Sequence, residues 1–149
     1  MKFNSTLSFL FTLFTLLSAC LVVHAAPAPP ASKLFRIENP EEGDVFLPSY
    51  DIYVHTETDD GANSYIFKKN PDVLVTIQTN IPKPDLNVDI ITVPYRTLHG
   101  HGIFFKAKKE WFRPDKPNTR FRIRASFKVD GKHGYVDSSS FYLKLNEDN

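Results

Sequence analysis

Cysteine is almost absent from this chain: one in 149 residues, at Cys20. That position lies inside an N-terminal run with the order of a secretory signal. A single positive charge at Lys2 is followed by an apolar stretch from Leu7 to Val23, then an exit with compact residues at Val23 and Ala25. Residues 1–25 are therefore expected to be a cleaved signal peptide. A membrane anchor would need about 20 apolar residues and a charged stop beyond them. Here the run ends instead in Ala26-Pro27-Ala28-Pro29-Pro30, the composition of a cleavage zone and an extended tether over 26–33. Leu17-Ser18-Ala19-Cys20 also has the form of a bacterial lipobox, which would anchor the chain through Cys20. Three apolar residues follow Cys20, where a lipoprotein would turn polar, so Cys20 is assigned to the discarded signal.

Without Cys20 no disulfide can form, and a small exported domain must stand on burial alone. No Asn-x-Ser/Thr acceptor follows the signal, the match at Asn4-Ser5-Thr6 being removed with it, so N-glycosylation is not expected. The polar tail 146–149 lacks the apolar stretch of a lipid-anchor signal and is not a retention tetrapeptide. The expected product is extracellular or held at a cell wall, with no membrane anchor in the mature chain. There is no internal repeat, and no low-complexity tract beyond the tether.

What is present is alternation. From 120 to 129, Phe121, Ile123, Ala125, Phe127 and Val129 fall on one face, and Arg120, Arg122, Arg124, Ser126 and Lys128 on the other. Period two over that length is a strand, because a helix would scatter the arginines around its circumference. Asp130 to Gly134 reads as a hairpin turn, since Asp-Gly suits positive φ. The return strand is 135–145, with Phe141, Leu143 and Leu145 inward. Further strands are expected at 34–38, 51–57, 64–68, 73–79, 88–93 and 102–108. Prolines 40, 48, 71, 82, 84, 94, 114 and 117 fall between these runs. The expectation is one all-β domain over 34–145, an antiparallel sandwich of about seven or eight strands.

Net charge is small but divided. Residues 35–94 carry 11 acidic and 4 basic side chains, a net of −7, and residues 95–132 carry 11 basic and 3 acidic, a net of +8. Such asymmetry has two readings: an anionic partner, or neighbouring strands of opposite sign that neutralise one another. With Lys2 removed, 17 basic face 17 acidic residues, so no general affinity for polyanions and no nucleic-acid partner are expected.

Four landmarks follow in order: Ile37-Glu38-Asn39-Pro40-Glu41-Glu42-Gly43 (I-x-x-P-x-x-G), Trp111-Phe112-Arg113-Pro114 (W-x-x-P), Phe121-Arg122-Ile123-Arg124, and Ser138 to Leu143 (S-x-x-F-x-L). Together they resemble the immunoglobulin-like domain of the fungal Ser/Thr-rich GPI-anchored cell-wall proteins. The same domain forms the N-terminal part of yeast proteins associated with cell-wall β-1,6-glucan assembly. The resemblance spans about 34–145. It departs at Ile52-Tyr53-Val54, where the family often has Ile-x-Trp, and in lacking a Ser/Thr-rich stalk and a GPI signal. It implies an immunoglobulin-like fold and a fungal wall-associated role, and it carries over no catalytic residues.

His99-Gly100-His101-Gly102 would put two histidines on one strand face, where His99 and His101 could share a metal with His55 or His133; the glycines equally read as a loop. An N-terminal copper site would need His24 exposed by cleavage after Val23, a poor exit residue. No Gly-x-Ser-x-Gly elbow is present. Ser138, Ser139 and Ser140 read as hydrogen-bonding surface residues, and Glu41-Glu42 and Asp59-Asp60 as solvated turns rather than opposed glycosidase carboxylates. No cofactor and no catalytic residues are expected.

Binding is easier to build. Tyr50, Tyr53, Tyr65, Tyr95, Trp111, Tyr135 and Tyr142 offer flat faces for sugar rings. The expected ligand-binding set is Trp111 and Tyr95 as stacking groups, with Lys108, Arg113, Arg122 and Arg124 for charge and hydrogen bonds. The competing reading of Trp111 is a core plug. The function expected is thus a non-catalytic, secreted, wall-associated domain that binds or organises a β-glucan-like wall polysaccharide. The alternatives are a secreted module for an extracellular protein partner, and a metal-dependent enzyme using His99 and His101.

Overall fold

A computed structural model describes residues 34–145. The signal-type segment 1–25, the tether 26–33 and the tail 146–149 lie outside the described residues. Strands form where apolar residues alternate. They are β1 (Arg36–Asn39), β2 (Val45–Phe46), β3 (Asp51–Glu57), β4 (Asp72–Thr79), β5 (Asn87–Pro94), β6 (Ile103–Lys106), β7 (Arg120–Val129), β8 (Lys132–Asp137) and β9 (Phe141–Leu143). Two short helices, α1 (Tyr65–Lys69) and α2 (Tyr95–Gly100), fill connections.

The strands make two sheets. One has the order β1-β3-β6; the other runs β2-β9-β7-β4-β5, with β8 also on β7. β8 pairs with Arg124 to Val129 and β9 with Arg120 and Phe121, so the two lie end to end along one edge of β7. Consecutive strands pass between sheets, β3 to β4 and β6 to β7, as in an immunoglobulin-like sandwich. Among the described residues all pairings are antiparallel except β2 with β9. The switch from β1 to β2 passes the cis Asn39–Pro40 bond and Gly43, whose φ is +87°.

The core is the inward half of this alternation. On β7, Phe121, Ile123 and Ala125 are fully buried beside Val73, Val75 and Ile77 of the neighbouring β4, and they cluster with Ile52 and Val54 of β3 in the other sheet. Each such aliphatic or aromatic side chain stabilises the fold by about 1.5–3 kcal/mol on burial. That is how a domain without a disulfide in its described part holds together. Asp130 (φ +47°) and Gly131 (φ +79°) make a two-residue turn, with Val129 opposite Lys132.

Several expectations are corrected. Residues 64–68 are not a strand but the start of α1. Ser64 caps that helix, its Oγ accepting from the Phe67 N–H at 3.2 Å, and Asn70 closes it in the left-handed region. The expected strand 135–145 is two strands broken at Ser138–Ser140, and Leu145 faces outward at 38% exposure. The hairpin turn is shorter than 130–134, because β8 starts at Lys132. Among the described residues the strands number nine: the expected strand 64–68 is lost, and this break and β2, whose two residues carry no alternation to read, add two.

Candidate functional site

The outer face of the larger sheet is built by the same registers that build the core. Opposite the buried series, β7 presents Arg120, Arg122, Arg124, Ser126 and Lys128. The hairpin register sets Asp137 beside Arg124, Tyr135 beside Ser126 and His133 beside Lys128. On the other flank, β4 sets Thr76 beside Arg124 and Gln78 beside Arg122, and β5 sets Asn87 beside Gln78. Directly opposed residues share a face, so these side chains form rows across the sheet.

The rows are cross-linked. Asp137 accepts from Arg124 Nε at 2.7 Å and Nη2 at 2.8 Å, a bidentate pair. The Asp137 hydrogen bonds raise the Arg124 guanidinium pKa above its ordinary value. The Arg124 guanidinium carbon sits 3.9 Å from the Tyr135 ring centroid, while Tyr135 as a whole is 54% exposed. Gln78 Nε2 donates to Asn87 Oδ1 at 2.8 Å. Two grooves meet at Tyr135. One, about 570 Å³, passes Leu74, Thr92, Ser126 and His133; the other, about 500 Å³, passes Gln78, Asn87, Arg122 and Asp137 between Pro82 and Pro84. The face thus combines an exposed aromatic ring with planar amide and guanidinium groups already fixed in place.

The expected site residues are separated by the fold. Arg122 and Arg124 lie on this face. Trp111 and Tyr95 do not: at 2% and 0% exposure both belong to the core. Trp111 packs edge-on to Phe105, with a ring-centroid separation of 6.1 Å, and Tyr95 packs on Phe35 at 5.0 Å. Neither can stack on a sugar, so the core reading of Trp111 holds. Lys108 sits over the Trp111 ring at 5.7 Å, and Arg113 contacts Asp85 at 3.7 Å.

The histidine expectation is corrected as well. His99 is in helix α2 and His101 follows it, so they do not share a strand face. His99 Nδ1–H donates to the Thr56 carbonyl at 2.8 Å, and both ring nitrogens of His55 face acceptors, Glu38 Oε2 at 3.1 Å and the His99 carbonyl at 2.7 Å. These histidines fasten α2 to β3. Gly102 (φ +64°) is required here, since an added Cβ would strike the Tyr53 ring. Among the described residues no group of three or more His, Cys, Asp or Glu side chains is placed to hold a metal.

The motif landmarks are structural. Glu42 accepts from the Ser140 N–H and hydroxyl at 2.8 Å, and the Gly43 N–H donates to the Ser140 carbonyl at 2.8 Å. The Ser140 bonds hold the Glu42 carboxyl below its ordinary value. Ser138 Oγ accepts the Ile123 N–H at 2.9 Å where the ladder breaks.

Sequence reasoning left Gln78, Asn87 and Asp137 out of the site and placed Tyr135 only among the aromatics. The signal for Asp137 and Tyr135 was the Asp130-Gly131 turn: once it is read as two residues, counting outward sets them opposite Arg124 and Ser126. No protein-family model matches the chain, and no curated protein matches it in sequence.

Proposed function

We propose that this domain is a non-catalytic carbohydrate-binding module, exported and wall-associated, that holds polysaccharide against the outer face of its larger sheet. The observation that carries the reading is Tyr135, more than half exposed, braced by the Arg124 guanidinium at 3.9 Å and standing where two grooves meet. An aromatic face takes the C–H side of a sugar ring, and flanking amides and guanidinium groups bond its hydroxyls. Fixing those groups beforehand lowers the ordering cost of binding. The secretory-type N-terminus and the resemblance to fungal wall domains support export and a wall setting.

The test is retention of the purified protein on insoluble β-glucan, chitin and whole fungal wall across a salt series, beside Tyr135→Ala. Retention that survives salt and is lost in Tyr135→Ala at unchanged melting temperature supports the reading. Retention unaffected by Tyr135→Ala, or absent on every polymer, overturns it. The protein-binding alternative is favoured by a different feature. Phe104, 69% exposed on the smaller sheet, stacks on Tyr53 with ring centroids 4.5 Å apart. That alternative expects a discrete protein partner and indifference to polysaccharide.

A further inference from the structure

Two guanidinium groups on the outer face share one carboxylate. Asp137 is committed to Arg124 through the two bonds of 2.7 and 2.8 Å, which leaves Arg122 with a 3.3 Å contact to the same carboxylate. The other Arg122 contacts go to neutral amide oxygens, Asn80 Oδ1 at 3.3 Å and Gln78 Oε1 at 3.5 Å. These lie at or beyond the long end of the hydrogen-bond range. Gln78 is held in place through its amide nitrogen by Asn87, so its oxygen is not free to close on Arg122. Arg122 Nε is buried with no partner among the described residues, and the side chain as a whole is only 19% exposed. A cation drawn this far out of water and bonded this loosely is short of one negative charge.

The polar groove of about 500 Å³ passes over that cation and ends against Tyr135. Resting on the reading of this face as a glycan site, we infer that the groove selects a carboxylate-bearing saccharide, a uronic acid unit, with its carboxylate on Arg122 and its chain stacked on Tyr135. A planar carboxylate matches the guanidinium fork, and such bonds are about twice as strong as neutral ones. The far groove adds no matching excess of positive charge, since Asp72 lines it together with Lys128. Recognition is therefore of a single carboxylate at one place.

The test is calorimetric titration of the purified protein with trigalacturonate and with its fully methyl-esterified form, at about 0.15 M salt, where long-range attraction is screened. The acid is expected to bind about tenfold tighter than the ester or better, as a charged hydrogen bond implies. Arg122→Gln removes both the charge and the fork, and is expected to bring the acid down to the affinity that the same variant has for the ester. The comparison on the unaltered protein stands whether or not that variant folds. Equal affinity for acid and ester overturns the inference, as does a preference that survives in folded Arg122→Gln. If the two bind equally and Tyr135→Ala weakens both, the glycan site stands without acid selection. If neither binds, the inference falls, and retention on insoluble wall then decides the glycan reading separately.

Discussion

The Tyr95 ring is enclosed by Phe35 on one side and His99 on another, with centroids 5.0 and 5.8 Å away. Its hydroxyl has only the equally buried Thr56 hydroxyl near it, with no well-formed hydrogen bond among the described residues, and burial pushes the phenol up to about 12. A buried hydroxyl without a partner costs about 1–3 kcal/mol, so the ring stabilises the core while its oxygen works against it. Tyr95→Phe is therefore expected to raise stability by about 1 kcal/mol in a urea titration. A loss of similar size would mean that the hydroxyl is bonded in solution. Trp111 differs, since its whole surface is used: Trp111→Ala is expected to cost about 3–5 kcal/mol and to leave little folded protein. Both residues belong to folding, and this is why aromatic content alone misplaced the site. A sequence shows that a ring is present, whereas the register shows which way it points.

Three consecutive serines separate β8 from β9, and each has a different task. Ser138 Oγ replaces a ladder carbonyl for the Ile123 N–H, Ser140 Oγ donates to Glu42, and Ser139 is exposed, with only its carbonyl engaged. Ser138→Ala would leave the Ile123 N–H without its acceptor in the middle of the longest strand, at an expected cost of about 1–2 kcal/mol. Ser139→Ala should stay within about 0.5 kcal/mol. Thermal melting of the two variants checks this, and equal melting temperatures would mean that water replaces the Ser138 oxygen. Elements were legible where one physical signal ran long enough. β7 was readable to the residue because its alternation continues over ten positions, and β3 because it does so over seven. α1 was not, because in five residues Tyr65-Ile66-Phe67-Lys68-Lys69 satisfies both periods. Its identity rests on the Ser64 cap and on Asn70 in the left-handed region, which the strand reading passed over. In the site, Arg122 and Arg124 were legible because they lie on β7. Gln78 and Asn87 come from strands paired only in the tertiary structure.

Across the whole molecule, the division of charge is answered in part from within. Basic residues of 95–132 reach acidic residues of 35–94 at Lys106–Asp51 (3.3 Å), Arg113–Asp85 (3.7 Å), Lys116–Asp85 (3.8 Å) and Arg120–Glu42 (3.5 Å), while Lys69 reaches forward to Asp130 at 2.9 Å. Three of these carboxylates sit below their ordinary values. Asp130 is held down by hydrogen bonds from the Tyr65 hydroxyl and then Lys69, Glu42 by the Ser140 N–H and hydroxyl, and Asp85 by the Thr79 hydroxyl and then Arg113. A carboxyl depressed by folding stabilises the native state above its unfolded value, about 4, and loses that contribution as pH falls through the folded value. Melting temperature is therefore expected to be nearly level above about pH 5 and to fall progressively below about pH 4. Acid would also leave an excess of positive charge, and that general repulsion predicts the same direction. The variants separate the two causes. Asp130→Asn and Glu42→Gln remove the specific linkage while adding to the positive excess, so specific linkage predicts lower stability at neutral pH but a shallower fall in acid. General repulsion predicts a fall at least as steep as in the unaltered protein. A steeper acid limb in the double variant would show that the two halves are not held together by these bonds.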